Sequence, residues 1–133
     1  MSSDPIPASQ DDSLGILLIS GDFERAHYAF MLAAAAAAMG RRVTLFATSE
    51  GCCALCDDWS SLADSGRDAA MRLRGVAGIG ELRDSTRALG IRMIACETGM
   101  RVAAIARDAL MEGVEVAGLA SFLAAAHGQI ITL

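Results

Sequence analysis

The four cysteines are the side chains of this 133-residue sequence best suited to chemistry. Cys96 directly follows the aliphatic run Ile91–Ala95 and precedes a segment of helical periodicity that begins near Gly99. A thiol between a strand and a helix N-terminus meets free N–H groups and a partial positive charge, which favour the nucleophilic thiolate. Gly99 would also let another molecule approach the backbone closely. Cys96 is therefore the candidate catalytic residue, and burial as an ordinary small core residue is the alternative.

Three further thiols, Cys52, Cys53 and Cys56, follow an earlier predicted strand and should reach the same edge of the sheet. Cys53 and Cys56 form a C-x-x-C, a spacing that cycles between dithiol and disulfide in thioredoxin-like proteins. The flanking residues differ from those of thioredoxins, and Asp57 and Asp58 disfavour a nearby thiolate. The sequence has no second C-x-x-C, so it predicts no metal site. We treat the three as candidate secondary thiols, with an irregular loop of incidental cysteines as the alternative.

Polar groups near these thiols could line the same site. Asp22 lies in the turn after the first strand, where it could tune the charge at Cys96 or simply cap a helix. Glu97, Thr98 and Gly99 follow Cys96 directly. We predict these four residues as site-lining.

Composition excludes several classes of function. The net charge of −5 argues against nucleic-acid binding, which needs a basic face. The N-terminus lacks a signal-peptide pattern, and the longest apolar stretch, Ala29–Met39, is shorter than the about 20 residues of a membrane span. We therefore expect a cytoplasmic protein with reduced thiols and no membrane partner.

Cofactor motifs and paired histidines are also missing from the sequence. The turn SGDFER after the first strand has neither a G-x-G-x-x-G nor a P-loop pattern, so we expect no nucleotide or other cofactor. His27 and His127 have no partner at a recognisable spacing and are predicted to be structural.

The order of elements predicts the fold class. Residues 1–13 have the composition of a disordered tail, and residues 14–133 form one predicted domain. We predict strands at 14–19, 43–47, 91–95, 114–117 and 129–133, and helices at 23–39, 79–89, 99–112 and 119–126, with a short helix near 61–73. The glycine-rich segment 75–80 should be a flexible connection. Alternating elements of this kind form a three-layer α/β/α domain with a mostly parallel five-stranded sheet, as in flavodoxin-like folds.

Three predicted helices have distinct faces. The helix at 23–39 is apolar nearly all round after Tyr28, so both of its sides should be buried, one of them by another subunit. The helix at 79–89 should bury Ile79, Leu82, Thr86 and Leu89, with Arg83 elsewhere. The helix at 99–112 should bury a stripe formed by Val102, Ile105, Ala106 and Ala109.

Three segments together resemble the DsrE/DsrF-like family. They are ILLISGDFERAHYAFMLAAAAAAMGRRVTLFAT, IRMIACETGMRVAAI and GVEVAGLASFLAAA, and the resemblance covers about residues 14–133. Its most specific part is a strand that ends in Cys96, a small or polar pair, and Met100 on a new helix. The GCCALC segment around Cys53 is not part of the family pattern.

The resemblance implies a DsrE-like fold and a function in sulfur relay. Family members that transfer sulfur carry a persulfide on one cysteine, whose position falls on Cys96, and pass it from a sulfur donor to an acceptor protein or small thiol. They assemble as homo- or hetero-oligomers, often trimers or hexamers. The leading hypothesis is thus a sulfur carrier or sulfurtransferase-like protein. The alternatives are a non-catalytic oligomeric binding module, and a redox module that pairs Cys96 with Cys53 or Cys56.

Overall fold

A computed structural model describes residues 11–133 of the chain. The described residues form five strands and five α-helices. The strands are β1 (Leu14–Leu18), β2 (Val43–Ala47), β3 (Arg92–Cys96), β4 (Glu115–Ala117) and β5 (Gln129–Thr132). The helices are α1 (Phe23–Ala38), α2 (Arg67–Leu73), α3 (Ile79–Ala88), α4 (Glu97–Val102) and α5 (Leu119–Ala125), and two of them, α2 and α3, lie between β2 and β3. Two 3₁₀ segments, Ser49–Leu55 and Arg107–Ala109, complete the regular structure; we call the first the cysteine helix.

The five strands form one sheet in the order β4-β3-β2-β1-β5, and every neighbouring pair is parallel. This confirms the predicted fold class. A parallel sheet has all its carboxyl ends at one edge, so the segments after β1, β2 and β3 meet there. Cys96 is the last residue of β3 and therefore lies at that edge.

The two faces of the sheet are covered unequally. On one face α1 and α3 pack against each other over a large cluster that includes Ile16, Leu45 and Met93. On the other face a single seven-residue helix, α5, places Phe122 against Phe46 with ring centroids 4.9 Å apart. We call these the α1 face and the α5 face.

The predicted helix at 99–112 is wrong beyond its first turns. Helix α4 ends at Val102, whose side chain is 71% exposed, and Ala104 then adopts a positive φ of 56°. After the 3₁₀ segment Arg107–Ala109, the chain is extended at Leu110 and pairs with the end of the cysteine helix. Met111 N–H donates to the Leu55 carbonyl, and Leu110 forms a bridge with Cys56. Long-range pairing thus overrides a sound helical periodicity.

The buried face of α3 differs from the prediction at Arg83 and Leu89. Ile79, Arg83 and Thr86 are the buried residues of this helix, whereas Leu89 lies at its end and is 43% exposed. The glycine-rich segment 75–80 is in part helical, because α3 begins at Ile79. Asp68 of α2, which is buried, accepts a hydrogen bond from Ile79 N–H at 2.7 Å and holds this junction.

The predicted disordered tail falls mainly on residues 1–10, which lie outside the described residues. Residues 11–13 are tied to the domain. Ser13 is buried and its hydroxyl accepts a hydrogen bond from Gly128 N–H at 2.9 Å. Asp11 contacts both His127 and Arg42. In the structure these three residues therefore pack against the predicted domain 14–133.

The thin cover of the α5 face leads to a stability prediction. Phe122→Ala should lower the free energy of unfolding by about 3 kcal/mol, because it removes the one large ring that α5 packs against Phe46. The matched control is Leu123→Ala on the same helix, whose side chain is half-exposed and should matter little. Urea unfolding of both variants measures the difference, and equal midpoints would contradict this account of the α5 face.

Candidate functional site

Cys96 occupies the junction that the sequence predicts. It ends β3 and is the N-cap of α4, and its Sγ accepts a hydrogen bond from Gly99 N–H at 3.3 Å. A backbone N–H aimed at sulfur stabilises negative charge there, as capping groups do at other helix starts. The side chain is 7% exposed, so the sulfur lies just beneath the surface.

The surroundings of the Cys96 thiol are apolar. Cys96 belongs to the cluster on the α5 face, together with Phe46, Ile94, Phe122 and Ala126. Residues 94 and 96 alternate with 93 and 95 along β3, and Met93 and Ala95 belong to the α1 face. The sulfur therefore has one polar contact on its helix side and aromatic and aliphatic groups on the other.

Gly99 has a different role from the one expected. The space beside its Cα is filled by this chain itself, since a Cβ at this position would overlap Thr48 Oγ1 and the backbone N of Ser49. Gly99 thus allows α4 to pack directly on the segment that leaves β2. Another molecule cannot approach the backbone at this point while the segment is in place.

The cysteine helix packs on the ends of β1 and β2. Gly51 N–H donates to the Ile19 carbonyl at 3.0 Å, and a Cβ on Gly51 would overlap the Leu18 carbonyl oxygen. Cys52 is fully buried, and its Sγ donates to the Ala47 carbonyl at the end of β2 (3.4 Å). Burial raises the pKa of Cys52 to about 12, although the backbone N–H of Cys96 opposes this effect. Cys52 is therefore a protonated packing residue.

Cys53 and Cys56 lie at the outer end of the same segment, and both are buried. Cys53 Sγ is 4.0 Å from Glu50 Oε2, and Cys56 Sγ donates to the Cys52 carbonyl at 3.5 Å. Burial is the main cause that raises the pKa of Cys56, and Cys53, Asp57 and Asp58 act in the same direction. As the sequence predicts, Asp57 and Asp58 disfavour the thiolate of Cys56 by raising its pKa.

Arg83 is a residue of this region that sequence reasoning missed. Its guanidinium enters from α3 and donates to the carbonyls of Ala54 (3.1 Å), Cys56 (2.5 Å) and Asp57 (3.3 Å). The side chain is 8% exposed, and burial lowers its pKa. Arg83 therefore fastens the outer end of the cysteine helix. The only signal in the sequence is its spacing of four from Ile79 and three from Thr86, the two other buried residues of α3.

Three of the four predicted site-lining residues lie on the first turn of α4 beside Cys96, and the fourth, Asp22, lies at the start of α1. Gly99 contacts the Cys96 sulfur, and Glu97 and Thr98 are exposed on the first turn of α4, where Glu97 pairs with Arg101 at 3.2 Å. Asp22 is the N-cap of α1 and accepts a hydrogen bond from Arg25 N–H at 3.4 Å. None of the hydrogen bonds described for Asp22 reaches Cys96, so capping is its observed role.

The four cysteines share one edge of the sheet but do not all pack in one cluster. Cys52 and Cys53 belong to the α1-face cluster, whereas Cys96 belongs to the α5-face cluster. The cysteine helix packs against α4 and the end of β3, so it lies close to the Cys96 backbone. Cys52 is near enough for the Cys96 backbone N–H to lower its pKa and for the Cys96 thiol to raise it.

Other functional groups are structural. His27 is buried and its Nε2–H donates to the Ala77 carbonyl at 2.8 Å, while its ring packs on Phe23. Within residues 11–133, no group of three or more His, Cys, Asp or Glu side chains is arranged to hold a metal ion. In the same part of the chain no helix has the length and apolar character needed to span a bilayer.

Comparison with known proteins agrees with this architecture. A model of the DsrE/DsrF/DrsH-like family matches residues 59–133, which is more than half of the chain. The matched part contains Cys96, α4 and Arg83 but not Cys52, Cys53 or Cys56. No functionally curated protein is significantly similar to the chain in sequence.

Two solved structures share the fold at low sequence identity. The crystal structure of the YchN protein from E. coli superposes with a TM-score of 0.67 at 17% identity, over 91% of this chain and 98% of that one. MTH1491 from Methanobacterium thermoautotrophicum, a protein of unknown function, superposes with a TM-score of 0.52 at 18% identity, over 91% and 98% of the two chains. At these identities the likeness concerns the fold.

The packing of Gly99 gives a prediction with a matched control. Gly99→Ala should destabilise the protein by about 2 kcal/mol, because the added methyl group meets the Thr48–Ser49 backbone. It should also increase the rate at which Cys96 is alkylated, because α4 must move away from the cysteine helix. Gly80→Ala in α3 meets nothing within 4 Å and should stabilise slightly. Urea unfolding and timed iodoacetamide labelling measure both effects, and a Gly99→Ala protein as stable as wild type would refute the contact.

The buried Cys52 thiol predicts a pH dependence of stability. Its pKa is about 12 in the folded protein against a usual value of 9.0, so between these values the unfolded state binds fewer protons. The free energy of unfolding should therefore be unaffected by this group below pH 9 and fall as pH rises above it, by roughly 1 kcal/mol per pH unit. Cys52→Ala should remove this part of the slope. Unfolding curves at pH 8 to 10.5 for both proteins test it, and identical slopes would contradict the assignment.

Proposed function

Because the chain belongs to the DsrE/DsrF/DrsH-like family, we propose that it is a sulfur carrier, acting as a sulfurtransferase-like protein with Cys96 as the residue that holds the transferred sulfur. The single observation that supports this proposal most directly is the hydrogen bond from Gly99 N–H to Cys96 Sγ. It makes the sulfur an acceptor at a helix start, and that arrangement suits an anionic nucleophile.

The environment of Cys96 fits the chemistry of a persulfide. The sulfur has one backbone donor on the α4 side and the rings of Phe46 and Phe122 within its own cluster. A persulfide is destroyed when a second thiol attacks it and forms a disulfide. Cys52 is a neighbouring thiol, but burial raises its pKa to about 12 and keeps it protonated, so it is a poor nucleophile toward such a persulfide. The raised pKa of Cys56 likewise disfavours the alternative of a redox module that pairs Cys96 with Cys56.

The transfer takes place in two exchange steps. The Cys96 thiolate attacks the terminal sulfur of a donor persulfide; the new S–S bond forms as the donor S–S bond breaks, and the donor leaves as a thiolate. An acceptor thiolate then attacks the outer sulfur on Cys96, which leaves as a thiolate again. Sulfur moves at constant oxidation state, so the cycle needs no cofactor and no external oxidant.

Partners and location follow from this chemistry. The donor and the acceptor are sulfane-carrying and thiol-bearing proteins or small thiols, and we propose a cytoplasmic setting in which thiols remain reduced. Because the Cys96 side chain is nearly buried, the reacting partner must displace part of the α4 or α5 cover or reach the sulfur between them.

The proposal predicts a sulfur adduct on one cysteine. Reduced protein incubated with inorganic polysulfide should gain about 32 Da per sulfur, as intact mass spectrometry measures, and added small thiol should remove the gain. Cys96→Ser should show no adduct. Cys53→Ser should behave as wild type, because this thiol belongs to a different cluster from Cys96 and lies beside the Glu50 carboxylate, which disfavours a thiolate.

The outcomes separate the hypotheses. An equal adduct on Cys96→Ser would move the reactive thiol to the cysteine helix and defeat the proposal. An absent adduct, together with a Cys96 thiol that resists alkylation until the protein unfolds, would favour the non-catalytic binding module.

A further inference from the structure

Arg83 is a buried cation, and none of the ion pairs formed within residues 11–133 includes it. Burial and the nearby Arg87 lower its pKa and outweigh the opposing effects of Asp57 and Asp84. Its Nε–H is also buried and has no hydrogen-bond partner in the described part of the chain. An apolar side chain of similar size would avoid the cost of burying this charge, so packing alone does not account for the residue.

The guanidinium of Arg83 holds the end of the cysteine helix through the main chain. It donates to the carbonyls of Ala54, Cys56 and Asp57 at 3.1, 2.5 and 3.3 Å. Carbonyls at the end of a helix have no partner within the helix itself, and a planar guanidinium can reach several of them at once. The charge is therefore used to fix the position of one turn of backbone.

The chain that follows α4 pairs with the same turn of backbone. Asp57 N–H donates to the Ala109 carbonyl at 2.9 Å, and Met111 N–H donates to the Leu55 carbonyl at 2.9 Å. The turn that the guanidinium holds thus also holds the segment that leaves α4. If this turn moved, the far end of the α4 segment would lose two hydrogen bonds.

The near end of α4 contacts the start of the cysteine helix. Gly99 lies directly on Thr48 and Ser49, and its N–H donates to the Cys96 sulfur at 3.3 Å. Helix α4 has only six residues, and a helix this short depends on its packing to keep its place. Both ends of the α4 segment therefore rely on the cysteine helix, whose own end is held by Arg83.

We propose that Arg83 is a positioning residue for Cys96: it fixes the cysteine helix, which keeps α4 in place and so holds the Gly99 N–H against the Cys96 sulfur. The side-chain hydrogen bonds described for Arg83 all reach carbonyls of residues 54–57, so it acts through that segment. The importance of this donor for sulfur transfer rests on the proposed function, whereas the placement of the donor does not.

Hydrogen exchange of single backbone amides, followed by NMR, tests this role. Arg83→Lys should speed exchange of the Gly99 N–H by about tenfold, because a compact ammonium cannot hold the same carbonyls together. Exchange of the Ala126 N–H, which donates to the Phe122 carbonyl at the end of α5, should stay as in wild type. Arg87→Lys, at an exposed position of the same helix, is the control and should change neither amide. An unchanged Gly99 rate, or equal acceleration at Gly99 and Ala126, would overturn the proposal.

Wild-type protein supplies a second test that does not depend on how well a variant folds. In native-state exchange at increasing urea, the amides of Gly99, Asp57 and Met111 should share one opening free energy and one urea dependence, because they belong to one connected unit. Both values should lie below those of Leu45 in the central strand β2. Separate openings for Gly99 and Asp57 would overturn the proposal. Neither experiment needs sulfur on the protein, so its failure is distinct from a failed sulfur adduct.

Discussion

The contact between Gly99 and the Thr48–Ser49 backbone determines how the carboxyl edge of the sheet is built. Because Gly99 has no side chain, the first turn of α4 lies directly on the segment that leaves β2. That segment continues as the cysteine helix, which Arg83 fastens at its far end through three carbonyls. Ser49 adopts a positive φ of 51°, a strained conformation that the surrounding contacts maintain. Cys96 receives its backbone donor only because α4 is held in this position.

The chemistry available at this edge depends on the surroundings of each thiol. Alternation along β3 sends Cys96 to the α5 face, where its neighbours are Phe46 and Phe122. Cys52 is buried in the α1 face, and its raised pKa keeps it protonated. Four cysteines at one edge are therefore not one cluster. Cys96 accepts a hydrogen bond from the Gly99 N–H and lies just below the surface. The proposed sulfur carrier relies on this thiol.

Much of the fold could be predicted from the sequence, because continuous aliphatic runs such as Leu14–Leu18 indicate strands that are buried on both faces. The position of Cys96 at the carboxyl edge of the sheet could be predicted from the sequence alone, because Cys96 directly follows such a run. The prediction failed where a distant segment decides the conformation. The stripe from Val102 to Ala109 has helical spacing, yet α4 ends at Val102, and the chain around Leu110 instead pairs with residues 55–57. Arg83 was missed because its acceptors are main-chain carbonyls, which a sequence pattern cannot reveal.

The thin cover of the α5 face has a consequence for access to Cys96. Helix α5 has seven residues and places Phe122 in the cluster that also contains Phe46, Ile94 and Cys96. A short helix with few packing contacts is an element that local unfolding can release while the rest of the sheet stays formed. Release of α5 would remove the apolar groups that share a cluster with Cys96, so access to this thiol is governed by the opening of one short helix.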